Sequence, residues 1–185
     1  DDESPSSVGF LTDVTLTGAL TLGDGTTTEL EIAGVITNNA SLTFMTDMFD
    51  NFAGRVDTRL FIAMGSAATL AGQGEIVLTG FETGLEAEAA ETPLTNSATH
   101  TIRGQGVIRN VALENEGLIE ASGGGSLDVV ATTIDNVVGG VHVAADGRLR
   151  LGDSASEGGA LSGAGGVLDD IDTSSSGELR DVTLS

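Results

Sequence analysis

Hydrophobic and polar residues alternate along most of the chain, in runs too short for helices. Val14 and Leu16, Leu20 and Leu22, and Leu30 and Ile32 are each two apart, with polar residues between them. A period of two is the mark of a strand with one buried face. The runs stop at small-residue turns such as Gly23-Asp-Gly25 and Asn38-Asn39. Fourteen of the 27 glycines are followed two positions later by Ile, Val or Leu. A turn residue is thus regularly followed by an inward-facing strand residue.

A longer period is superimposed in the C-terminal half. Gly117-Leu-Ile119, Gly139-Gly-Val141, Gly159-Ala-Leu161 and Gly177-Glu-Leu179 step by 22, 20 and 18 residues. An offset of 22 aligns Ile119 with Val141, Ala121 with Val143, Leu127 with Leu149 and Val129 with Leu151. Ser122-Gly-Gly-Gly125 and Ala145-Asp-Gly147 are the turns between them. A period near 20 made of short strands and glycine turns suits one coil of a β-solenoid. Leucine-rich repeats share that period, but their L-x-x-L-x-L frame is missing. The pattern predicts an all-β chain coiled into roughly seven to nine turns, each rising about 4.8 Å. Val, Leu, Ile and Ala ladders would fill the interior, with Thr and Asn at turns and on outer faces.

The opening of the chain also reappears at its end. Gly9-Phe-Leu-Thr-Asp-Val-Thr-Leu-Thr17 matches Gly177-Glu-Leu-Arg-Asp-Val-Thr-Leu-Ser185 at an offset of 168, with six of nine positions identical. This predicts one period of a tandem array, with the two motifs in equivalent coils and 177–185 opening the next repeat. Leu11, Val14 and Leu16 at one end and Leu179, Val182 and Leu184 at the other become candidate assembly edges.

Three stretches depart from the coil pattern. Residues 1–7 read as a linker before a single domain over 8–185. Residues 44–64 hold Phe44, Phe49, Phe52 and Phe61 with all three Met residues. They read as bulky strands or a short helical excursion. Residues 82–99 carry four Glu and a Pro and read as a projecting acidic loop, the usual place for binding on a repeat protein. Phe44, Phe49, Phe52, Glu86, Glu88 and Glu91 are therefore the candidate binding surface.

Net charge is −21, with seven Arg and no Lys. Such a surface repels nucleic acid and anionic membrane, keeps strand edges from aggregating sideways, and suits a high-salt or marine setting. There is no Cys, which excludes disulfides and thiolate metal sites. No run approaches the roughly 18 apolar residues of a membrane helix. The first residue is Asp1 rather than Met, as in a processed or excised segment, and any signal peptide would lie upstream.

Candidate chemistry is sparse. His100 and His142 are 42 residues apart and neither has a second ligand at metal spacing. His142, between Val141 and Val143, points outward in a strand. The densest carboxylates are Asp169, Asp170 and Asp172, then Glu114, Glu116 and Glu120. The first three are candidates for a weak Ca²⁺ site, although 163–170 lacks the G-G-x-G-x-D-x-U-x nonapeptide and no stretch fits the EF-hand loop. Paired carboxylates on a solenoid face also occur in polysaccharide-cleaving enzymes, which add basic and aromatic residues in which this chain is poor. Leu70-Ala-Gly-Gln-Gly-Glu-Ile76 and Ile102-Arg-Gly-Gln-Gly-Val-Ile108 hold G-x-G without the third glycine of a dinucleotide loop. They read as tight coil corners.

Thr101-Ile-Arg-Gly-Gln-Gly-Val-Ile-Arg-Asn110 and Leu113-Glu-Asn-Glu-Gly-Leu-Ile-Glu-Ala-Ser-Gly-Gly-Gly-Ser-Leu127 resemble the repeats of very large bacterial surface proteins. These are the filamentous-haemagglutinin-like and autotransporter-like adhesins. The likeness covers 100–185 well, 8–43 and 57–80 moderately, 44–56 weakly and 82–99 not at all. It implies a right-handed parallel β-helix, secretion to the cell surface, and structural or adhesive work, with no catalytic residues to carry over. The expected function is a segment of an extracellular fibre or stalk that meets itself or adjacent repeats end to end. A glycan, or a host or neighbouring cell surface, is a further expected partner. One alternative is a carbohydrate- or protein-binding module acting through 82–99 or 44–64. Another is a polysaccharide-active enzyme.

Overall fold

The computed structural model describes residues 7–23, 28–45, 58–136, 138–171 and 174–185. Among these there is no helix, and the parallel strands stack as a β-solenoid of about seven turns. The first coils comprise β1 (Ser7–Leu16), β2 (Leu20–Leu22), β3 (Thr28–Asn38), β4 (Ser41–Phe44), β5 (Thr58–Ile62), β6 (Ala68–Ala71) and β7 (Glu75–Ala87). Then follow β8 (Thr92–Asn96), β9 (Thr101–Arg109), β10 (Val111–Asn115), β11 (Leu118–Ala121), β12 (Ser126–Val130), β13 (Thr133–Asp135) and β14 (Gly140–Val143). The last coils hold β15 (Arg148–Gly152), β16 (Ser154–Glu157), β17 (Ala160–Gly163), β18 (Val167–Asp170), β19 (Gly177–Arg180) and β20 (Thr183–Leu184).

Pairing sorts these strands into three faces of a prism. Face one stacks the start of β1, the start of β3, β5, the end of β7, the end of β9, β12, β15 and β18. Face two stacks the end of β1, the end of β3, β6, β8, β10, β13, β16 and β19. Face three stacks β2, β4, the start of β7, the start of β9, β11, β14, β17 and β20. The chain visits faces one, two and three in that order on every coil.

Period-two alternation then fills the axis with columns of like residues. On face one, Leu30, Leu60, Leu85, Ile108, Val129 and Leu151 lie in one register column. On face three, Leu42, Ile76, Ile102, Ile119, Val141 and Leu161 do the same. All are buried and belong to one hydrophobic cluster. Each gains about 1.5–3 kcal/mol from leaving water, and its neighbours are supplied by the coils above and below. The offset of 22 read from the sequence is the real register: Ile119–Val141, Ala121–Val143, Leu127–Leu149 and Val129–Leu151 are all partners.

Glycine sets how closely corners stack. A Cβ on Gly117 would lie 2.3 Å from the His100 carbonyl oxygen and 2.5 Å from that of Ser97, so only glycine lets the two turns nest.

Four expectations need correction. Residues 82–99 are not a projecting loop. Residues 82–87 complete β7, where Glu82, Thr83, Leu85 and Glu86 are buried, and 92–96 form β8. Only residues 88–91 leave the coil, because the glutamates alternate with inward Leu85 and Ala87 on an ordinary strand. Secondly, asparagine is not confined to turns and outer faces, since Asn38, Asn96, Asn115 and Asn136 are buried. Thirdly, Phe44 is fully buried in the column Leu22–Phe44–Leu78 and forms no outer patch.

The fourth concerns the repeated motif. Gly9–Thr17 runs from face one to face two, whereas Gly177–Ser185 runs from face two to face three. The copies share local geometry, with Asp13 and Asp181 both in the left-handed region at φ 50° and 53°. They do not share a position in the coil, and Gly177 falls out of phase with Gly117, Gly139 and Gly159 for the same reason.

Candidate functional site

The two ends of the column are its most distinctive surfaces. Inward positions of the first tier are Gly9 and Leu11 on face one, Val14 and Leu16 on face two, and Leu20 and Leu22 on face three. Leu11, Val14, Leu16 and Leu22 reach the core but stay partly open, and Leu20 is exposed. The last tier places Leu168, Leu179 and Leu184 inward. Leu184 is 71% exposed while Leu161, next in its column, is 9% exposed. Among the described residues Leu184 has a register partner on one side alone, Leu161. Leu11, Val14 and Leu16 thus lie in the first described tier and Leu179, Val182 and Leu184 in the last, with Val182 partly buried against the core.

Face one ends differently. Asp170 follows Leu151 in its column, so a carboxylate stands where the coils before it have an aliphatic side chain. Its Oδ1 accepts a hydrogen bond from the Gly177 amide at 3.2 Å. An inward charge is a known way to blunt a sheet edge.

Two of the three calcium candidates, Asp169 and Asp170, point to opposite sides of their strand. Asp169 points outward and pairs with Arg148 at 3.3 Å, whereas Asp170 points inward. Alternation puts adjacent strand residues on opposite sides. Asp172, Phe49 and Phe52 lie outside the described residues. Among those described, no group of three His, Cys, Asp or Glu side chains could hold a metal ion.

On the outer faces the register sets arginine against carboxylate. Arg150 makes a two-pronged pair with Asp128, one bond at 2.7 Å. Arg103 grips Glu75 at 2.6 and 3.1 Å, and this contact holds the Glu75 carboxyl below its usual range. Arg59 and Arg109 approach buried Glu86 at 3.5 and 3.3 Å. All six described arginines are ion-paired in this way. No described cation is left over to receive an anionic ligand. Glu88 and Glu91 are exposed in the 88–91 turn, with Glu91 in the left-handed region at φ 60°. Glu114 accepts from Thr95 at 3.4 Å, Glu120 stands beside Arg103, and His142 lies outward against Ser162 at 2.9 Å.

Inside the prism runs a polar line that the sequence reading missed. Asn96 Nδ2 donates to Asn115 Oδ1 at 2.7 Å, and Asn115 Nδ2 donates to Asn136 Oδ1 at 2.6 Å. Their second amide hydrogens go to the Leu118 and Gly140 carbonyls. His100 joins the line at Asn96, with Nδ1 2.8 Å from Asn96 Oδ1, and its Nε2 lies 3.3 Å from Asn38 Nδ2. The Ala40 amide fixes the Asn38 oxygen, so Asn38 presents N–H to the ring. His100 must then be neutral, donating from Nδ1 and accepting at Nε2. Burial pushes its pKa down to about 4, against a small opposing pull from Glu75. The signal was in the sequence: Asn96, Asn115 and Asn136 recur at 19 and 21 residues, each at the end of a face-two strand. Comparison with known protein families, curated proteins and solved structures finds no match.

Proposed function

We propose that this chain is a non-catalytic rod segment of an extracellular bacterial fibre, stalk or surface protein, extended through its β-edges. The observation that carries the reading is the pair of open tiers, whose inward leucines continue buried columns. Covering Leu168, Leu179 and Leu184 with another coil would release on the order of 5 kcal/mol from apolar burial, before the cost of ordering or association. The acidic outer faces support the same reading, because they oppose sideways contact while leaving the axis apolar. Secretion is part of the proposal and rests on the resemblance of 100–185 to bacterial surface repeats.

Electron microscopy of the purified chain across protein concentrations is the test. Filaments one coil-width across, with an axial repeat of about 35 Å, are expected if the edges join. A chain that stays monomeric at all concentrations would remove edge-to-edge assembly and leave only covalent extension.

A further inference from the structure

The two copies of the repeated motif differ in one informative respect, the face on which they sit. From Gly9 to Gly177 the chain makes seven turns and then advances one more face. Their inward pattern agrees. In both, the first Gly and the first Leu point inward (Gly9 and Leu11, Gly177 and Leu179), followed by an Asp in the left-handed region and a last inward Leu (Leu16, Leu184).

The seat of the second copy also specifies its first residue. A Cβ on Gly177 would stand 2.5 Å from Leu151 Cβ and 2.9 Å from Asp170 Oδ1. The same Asp170 oxygen takes the Gly177 amide hydrogen. Below it, the inward position on face two is the small Ser154. This seat accepts glycine alone, and position 9 is glycine. Asp170, which blunts face one, thereby holds the start of the motif that continues the rod on face two.

We infer that successive units of a tandem array are turned about the axis by one face, about 120°. The inference rests on the rod reading above and adds the geometry of the join. A second unit entering at Gly177 would place its own face one over this unit's face two, and its own face two over face three. Three units, about 105 Å long at roughly 4.8 Å per turn, would bring a surface feature back to its starting side. The Asp128–Arg150 pair and the 88–91 turn would then spiral around the rod and face neighbours on every side. An in-phase array would line each of them along one edge.

The chain lacks Cys, so introduced pairs report the join directly. In a tandem chain made of 1–176 followed by 9–185, the turned join sets the second unit's Phe10 beside Ala155, as Glu178 stands now. An in-phase join would set it beside Ile171 instead. Neighbouring parallel strands are about 4.8 Å apart, within reach of a disulfide. Phe10→Cys in the second unit is combined with Ala155→Cys or with Ile171→Cys in the first, and each variant is oxidised. Ala155→Cys with Glu178→Cys in the single chain is the positive control. Cross-linking through position 155 but not 171 is the expected result. Cross-linking through 171 in a rod of doubled length would overturn the turn while leaving the rod reading intact. If only the control closes, and the tandem chain is no longer than the single one, both readings fall.

Discussion

Acid should loosen this solenoid through one imidazole. His100 is 1% exposed and sits between Asn96 and Asn38. Protonation would direct an Nε2–H at the Asn38 amide hydrogens, and Asn38 cannot turn over without breaking its bonds to Ala40 and the Glu75 carbonyl. The folded ring therefore resists protons until about pH 4, whereas an unfolded histidine takes one near 6.5. Between these values the unfolded chain binds more protons, so stability rises with pH through this window. The contribution is essentially complete above about pH 7. It is reduced by about 2 kcal/mol at pH 5 and by about 3 kcal/mol at pH 4. The stability of so acidic a chain depends on pH through other charges as well, so the measurement is a difference. Urea unfolding of the natural chain and of His100→Gln is followed from pH 8 to pH 4. The gap between the two should be constant above pH 7 and shift by those amounts below it, against the natural chain. A gap independent of pH, or one that moves while pH rises above 7, would refute the neutral, buried assignment.

Three further outcomes follow from the packing. Asn115→Ala strands the Asn96 amide and the Asn136 oxygen in the interior and should cost about 2–4 kcal/mol in urea unfolding, whereas outward Thr95→Ala should cost under about 0.5 kcal/mol. Gly117→Ala should destabilise strongly because its Cβ meets two carbonyls, while Gly140→Ala, with nothing within 4 Å, should be neutral by thermal melting. Arg150→Ala should lower stability by no more than about 1 kcal/mol at low salt, since the pair is partly exposed, and the loss should shrink in 1 M NaCl.

What the sequence disclosed followed from the physics of parallel stacking. An in-register solenoid repeats the same side chain on the same column, so offsets such as Leu127–Leu149 survive as visible periodicity. The opening coils could be read for alternation but not for register, because the connections after β2 and β4 differ in length. The glutamates of 82–91 misled for a local reason. Residues 82–87 form a strand in which Glu82 and Glu86 are buried, with Arg59 and Arg109 near Glu86, and composition alone cannot distinguish that from a solvated loop. The asparagine line was overlooked because a buried polar residue looks like a turn residue until its partner one coil away is known. The motif at 9 and 177 encodes a strand, a left-handed Asp and a second strand. That unit fits any corner, so sequence identity fixed its shape and not its face.

The distribution of charge bears on how a rod of the proposed kind would grow. Six described arginines are spent on carboxylates, and the chain still carries a net charge of −21. Apart from Glu82, Glu86 and Asp170, the described carboxylates lie on outer faces and turns, where two rods side by side would repel, and the repulsion weakens with salt. Along the axis the inward residues of the two end tiers are mostly aliphatic, and water favours their contact at any ionic strength. Growth would therefore be axial at low salt, and lateral bundling would appear only as salt rises. Among the described strand residues of the last tier, Asp170 is the charge at an inward position, and it lies on the face where the next strand begins one corner later. Replacing it with Leu would complete the Leu151 column but fill the space that Gly177 occupies and remove the acceptor for its amide. Asp170→Leu should therefore raise apolar burial at the end and still weaken seating of the last coil. Amide exchange at Gly177 would be faster than in the natural chain, and unchanged exchange would show that the carboxylate does not hold the join.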